Sequence, residues 1–182
     1  LTSSPNFDFV KTDAKYGQAF REYGINVEKM GAERALELIR SSRIRLRLAI
    51  ALDAWAEARW HRMDWHEQSG ITWQELFEIA AAIDPDSWRC AVREALRDRS
   101  QTELVRIAEE IPIAEVPPVT LGLLGRALTG TGTPEEGEVL FRRAQRLHPD
   151  SFWLNHDLAV AGHRDLIPAA PRSVSSFANP GS

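Results

Sequence analysis

Apolar residues recur along this chain at helical spacing, separated by Gly, Pro and Ser/Thr/Asp punctuation. Asp13 to Tyr23 carries Ala14, Tyr16, Phe20 and Tyr23 on one face before Gly24 ends it, which predicts a first helix. A second is expected over Ala32 to Arg40, and a third from Ile44 to about Trp60, with Ile44, Leu48, Leu52 and Trp55 on one stripe and Leu46, Ala49, Ile50 and Ala56 beside it. That third helix reads as central. Arg43 to Leu48 also alternates like a strand, but the Ala-rich run that follows and the lack of a second strand candidate favour helix.

Thr72-Trp73-Gln74-Glu75 is a capping box that opens a fourth helix to Ile83, and Asp84-Pro85-Asp86-Ser87 breaks and restarts the chain. The fifth helix is expected to bury Trp88, Ala91, Val92, Ala95 and Leu96. Ser100 to Glu103 caps a sixth, ending near Glu110. Pro117-Pro118 starts a seventh and Thr129 to Gly132 breaks it. Thr133-Pro134-Glu135-Glu136 then opens an eighth, with a capping hydroxyl, Pro in the first turn and a Glu able to reach back. A further helix runs from Phe152 to about Ala161. Residues 1–11 read as linker and 165–182 as a Pro/Ser-rich tail, leaving 12–164 as the helical domain.

Between Pro118 and Ser151 the spacing becomes specific. Leu121, Leu124, Gly125, Leu128, Gly137, Phe141, Ala144 and Pro149 fall on the positions of a tetratricopeptide (TPR) repeat. Gly125 and Ala144 stand where two antiparallel helices must approach closely. Leu121, Leu128 and Gly137 replace the usual Trp, Tyr and Ala. Pro-Asp-Ser-aromatic occurs at Pro85 and again at Pro149, 64 residues apart, close to two periods of about 34 residues. The expected fold is all-α, a TPR-like α-solenoid of antiparallel helix pairs with about nine helices, most regular over 118–151.

Tyr16 to Ile25, Ala51 to Ala56, Asp84 to Arg89 and Phe152 to Asn155 resemble the TPR-type region that follows the kinase domain in certain large bacterial serine/threonine protein kinases. The resemblance spans residues 12 to about 160. It implies an accessory module without catalytic residues of its own. In that family further repeats usually follow the Phe-Trp-Leu-Asn segment, whereas here the tail follows; the start at Leu1 rather than Met is what makes the chain read as a segment of a longer protein.

Composition narrows the function classes. At 182 residues with 43% apolar and 26% charged side chains, the chain fits one helical domain. A net charge of -4 and a pI near 5.8 argue against a general binder of nucleic acid or anionic membrane. Cys90 is the single cysteine, so no internal disulfide can form, and a reducing, cytoplasmic setting is expected.

Candidate chemistry is sparse. His61, Asp64 and His66 look like a metal cluster on paper, but on a helix only His61 and Asp64 share a face, so no metal or other cofactor is expected. Cys90 has no His or Asn/Asp partner placed near it and reads as a passive surface thiol. Arg89, Arg93 and Arg97 form a stripe at i, i+4 and i+8, read as a solvated helix border. Trp55 and Trp88 belong to apolar faces, and Trp73 to a wedge between helices.

In TPR register the concave groove receives Arg126 from one repeat and Trp153, His156 and His163 from the next, and aromatic and Arg side chains are favoured binding anchors. The expected function is a non-catalytic scaffold that binds a protein or peptide. The alternative is self-association, possible as a homodimer, through an incomplete C-terminal repeat whose Phe152, Leu154 and Leu158 need a cover.

Overall fold

The computed structural model describes residues 9–61 and 70–162, and the regular structure among them is helical throughout. In chain order the helices are α1 (Phe9–Glu22), α2 (Val27–Ser41), α3 (Arg45–His61), α4 (Trp73–Ile83), α5 (Ser87–Arg97), α6 (Gln101–Glu110), α7 (Pro118–Gly130), α8 (Pro134–Leu147) and α9 (Phe152–Gly162).

The boundaries follow local chemistry. The Thr72 hydroxyl accepts from the Glu75 N–H while the Glu75 carboxylate accepts from the Thr72 N–H, the reciprocal box expected for α4. Asp86 and Ser100 cap α5 and α6 by accepting from Arg89 N and Glu103 N. Two starts differ from expectation. α1 takes in Phe9, Val10 and Lys11, which composition assigned to the linker. α2 starts at Val27, capped by the Asn26 side chain, and is interrupted at Gly31, whose φ of +79° only glycine adopts without strain. Thr133 also behaves differently: its hydroxyl turns back and donates to the Leu128 carbonyl at 3.0 Å, tying α8 to the end of α7 rather than capping α8.

From α1 to α4, and again from α5 to α9, each helix packs on the next and on the next but one. Between these two groups the contacts are α4 with α5 and α3 with α7. α3 therefore touches α1, α2, α4 and α7, and its Leu48, Ala49, Leu52, Trp55, Ala56 and Ala58 are buried. Ile44, at the start of the expected stripe, lies outside the core, as does Leu46.

The seven apolar and small positions of the 118–151 pattern sit where close packing requires them. Leu121, Leu124, Leu128, Phe141 and Ala144 are buried. A Cβ added at Gly125 would run into the Phe141 ring, and one at Gly137 would fall 2.5 Å from Thr129 Oγ1 and 2.9 Å from the Gly125 carbonyl oxygen. Helices α7 and α8 thus cross at contact distances open only to glycine. The Pro149 carbonyl accepts from the Asn155 side-chain amide at 2.8 Å, joining the α8 exit to α9.

Candidate binding surface

α9 leans on α7 and α8 through Leu154, which is fully buried, and through the half-buried Leu158. Leu154 is thus not part of an open flank, contrary to the sequence expectation. Its apolar residues run around the helix, so one inward stripe cannot hold them all. Phe152 and Trp153 point out, 68% and 70% exposed. Their rings meet edge to face at 5.2 Å, and His156, one turn on, lies 6.3 Å from each. Three rings therefore form one exposed cluster at the start of α9. His163 lies outside the described residues.

Arg126 reaches the same helix but is not a free anchor. Its Nε donates to Glu57 Oε2 of α3 at 2.8 Å, and its Nη1 donates to Asp157 Oδ2 of α9 at 2.7 Å. Asp157 Oδ1 is also 3.5 Å from His156 Nδ1. Arg126 and His156 are thus linked through one carboxylate, with the guanidinium committed to clamping α3, α7 and α9 together.

Burial pushes the Glu57 carboxyl above its usual range, against the pull of Arg126. Glu57 Oε1 is buried without a hydrogen-bond partner. Burial likewise raises the Tyr16 hydroxyl, and the neighbouring Glu57 charge adds to it. For Arg126, burial works against the cation, but Glu57 and Asp157 outweigh it and raise its pKa.

The arginine stripe of α5 is also placed differently from its expected solvated border. Arg93, 3% exposed, donates through Nε and Nη2 to the two carboxylate oxygens of Asp53, both at 2.8 Å, and through Nη2 to Asp84 at 3.1 Å. Arg89 is buried beside it, donating to Asp84 and, at 2.8 Å, to the Thr120 hydroxyl of α7. Only Arg97 lies at the surface, paired with its neighbour Asp98. Burial alone would raise Asp84, but the hydrogen bonds and charges of Arg89 and Arg93 hold it at about 2. Asp53 moves the other way, raised by burial against the bonds from Arg93.

This cluster joins α3, the end of α4, α5 and α7 at the junction between the two groups of helices. Long side chains bridge there what backbone approach does not. A smaller network does the same for the first group: Asp13 of α1 accepts from Trp55 Nε1 at 2.6 Å and Arg59 Nε at 2.8 Å, and Arg59 continues to Glu28 and the Ile71 carbonyl. Each of these cations has its carboxylate, and the pairs tie neighbouring helices together.

Other candidates find ordinary settings. Cys90 is half-buried, with its thiol 3.6 Å from the Asp84 carbonyl, rather than a surface thiol. The His61 ring stacks on Phe9 at 4.7 Å and abuts Trp60, while Asp64 and His66 lie outside the described residues. Among the described residues no group of three or more His, Cys, Asp or Glu is placed to hold a metal ion. Nor is any described helix long and apolar enough to cross a membrane.

One signal could have revealed the buried arginines. Asp53 stands between Leu52 and Trp55 on the stripe that must be buried, and a carboxylate there needs a cation from a facing helix. Glu57, one turn later, carries the same implication for Arg126. Compared with protein-family models, curated proteins and solved structures, the chain finds a match in none of the three.

Proposed function

We propose that this chain is a non-catalytic, TPR-like binding module that takes a protein or peptide partner on the surface around Trp153 and His156. The observation that carries the reading is the exposed ring cluster of Phe152, Trp153 and His156. Contiguous exposed apolar surface marks interaction sites and aromatic side chains are favoured anchors there, and Phe152 and Trp153 are adjacent and both more than two-thirds exposed. Packing of each helix on the next but one within each group, and the glycine-dependent crossing of α7 and α8, support stacked helix pairs as the scaffold. By its resemblance, the module is accessory to a serine/threonine kinase.

Arg126 has a different role in this reading from that of an anchor. It fixes α9 against α3 and α7, so that Trp153 and His156 are held on a rigid support. Selection of peptides from a displayed random library against the immobilised chain tests the reading. Selected peptides should bind Trp153→Ala at least tenfold more weakly than the parent, a loss typical of a central aromatic anchor. Selection that yields no binder, or binders indifferent to Trp153 and His156, would sink it.

Self-association is the second reading, favoured by the exposure of Phe152 and Trp153 together with Val160 on the same helix. Light scattering separates the two. A dimer that Phe152→Ser/Trp153→Ser converts to monomer supports assembly, and a monomer at all concentrations supports the binding module.

A further inference from the structure

The turn between α2 and α3 carries a charge pattern that the net charge conceals. Arg40, Arg43, Arg45 and Arg47 lie in a stretch without a carboxylate from Glu37 to Asp53. Residues 43–47 are all exposed, including Ile44 at 37% and Leu46 at 47%. The exposed Tyr23 adjoins them, its hydroxyl 2.9 Å from Ser42 Oγ. The surface is thus arginine interleaved with aliphatic side chains, with an aromatic ring at its edge.

Elsewhere on this acidic chain some exposed arginines have carboxylate partners, while Arg99, Arg143 and Arg146, which are not crowded into one turn, have none among the described residues. Arg34 pairs with Glu37, Arg106 with Glu103 and Glu110, and Arg142 with Glu138. Arg43, Arg45 and Arg47 have no carboxylate partner among the described residues. Folding does not account for them. They crowd the beginning of α3, whose first turn has no acidic residue, where the helix dipole favours carboxylates and disfavours cations. Ile44 and Leu46 likewise add nothing to the core there.

We propose that the α2–α3 turn is a second binding surface, and that its occupant is an acidic segment of a partner protein in which Asp or Glu alternates with aliphatic side chains. Arginine forks bind carboxylates with two parallel hydrogen bonds, and Ile44, Leu46 and Tyr23 supply apolar contact between them. The overall charge of -4 works against long polyanions, so nucleic acid and an extended anionic membrane are disfavoured where a short acidic segment is not. Two partly exposed aliphatic side chains are also too little apolar surface to hold a bilayer. This surface is separate from the α9 cluster and does not depend on it.

Fluorescence anisotropy with a fluorescein-labelled peptide of Glu-Glu-Leu repeats tests the proposal. The parent chain should bind it, less tightly as NaCl is raised. Arg45→Glu/Arg47→Glu should weaken binding by about tenfold or more, and Ile44→Ser/Leu46→Ser by a smaller factor. Arg143→Glu/Arg146→Glu makes the same charge change at exposed residues of α8 and should leave binding within about twofold. All substituted residues are at the surface, and circular dichroism checks that each variant folds. Equal loss in both charge-reversal variants would overturn the proposal in favour of bulk charge. So would absence of peptide binding, or an Ile44→Ser/Leu46→Ser variant that binds as the parent does. Binding to phosphatidylserine vesicles or to a single-stranded oligonucleotide with no binding of the peptide would overturn it in favour of those ligands.

Discussion

The ring of Phe141 on α8 lies directly over the Cα of Gly125 on α7, in space that any side chain at 125 would occupy. The pair sets the crossing distance of the two helices. Gly125→Ala should therefore cost about 1 to 3 kcal/mol by overpacking, although alanine is the better helix former. Phe141→Leu removes the ring tip that the new methyl meets, so Gly125→Ala/Phe141→Leu should lose less stability than the two single changes added together. Urea denaturation of the three variants measures this. Strict additivity would mean that the helices separate freely at this crossing.

A second expectation concerns the buried cluster at the junction of the two helix groups. Arg93→Met leaves Asp53 buried without its bidentate partner and deprives Asp84 of one of its two cations. Removing one member of such a pair costs about 3 to 5 kcal/mol, whereas replacing both with apolar side chains is often close to neutral. Asp53→Leu/Arg93→Met should therefore be markedly more stable than Arg93→Met alone, because Asp84 keeps Arg89. A double variant no better than the single would show that Asp53 is not the group left stranded.

Helices with strong punctuation were legible in the chain. Thr72 and Ser100 cap where their spacing to the next polar residue predicts, the Asp84 to Ser87 break separates α4 from α5, and Pro118 and Pro134 lie in first turns. The start of α2 was not, because its signal is one Asn side chain followed by a glycine that interrupts the helix. Periodicity places Arg89 and Arg93 toward solvent because it treats every charge as an outward position. Their long-range partners are distant in sequence: Asp53 is 40 residues from Arg93, and Thr120 is 31 from Arg89. The outward turn of Phe152 and Trp153 and the burial of Leu154 depend on where α7 and α8 stand. That relation is tertiary, and no local pattern on α9 encodes it.

The carboxylates respond to pH in opposite directions. Asp84, ordinarily near 3.8, is held at about 2 in the fold. Its stabilisation, about 2 kcal/mol, is complete above the unfolded value and is lost as pH falls from about 4 towards 2. Asp53 and Glu57 are raised by burial, so ionising them costs stability at neutral pH and acidification relieves that cost. The melting temperature should hold or rise from pH 7 to about 5 and fall below about 4. Asp84→Asn should be less stable at pH 7 and show a shallower acid fall. An unchanged acid limb in that variant would assign the loss to other carboxylates.

Arg126 and Trp153 should separate support from recognition, since one is tied on both sides and the other is tied to nothing in the core. Arg126→Ala leaves Glu57 and Asp157 facing each other without a cation, and Glu57 already has a buried oxygen without a partner. A loss of about 2 kcal/mol is expected, below the full figure for a buried pair because the Arg126 side chain is partly exposed. Glu57→Gln keeps an acceptor for Arg126 while removing the buried charge, so it should change stability by less than about 1 kcal/mol. Trp153→Ala, at a surface position, should stay within about 0.5 kcal/mol of the parent. Partner binding should order these variants differently, with Trp153→Ala the weakest binder and Glu57→Gln near the parent. If Trp153→Ala instead proves the least stable of the three, its ring is packed against some other part of the chain, and the exposed cluster is a structural contact rather than a recognition surface.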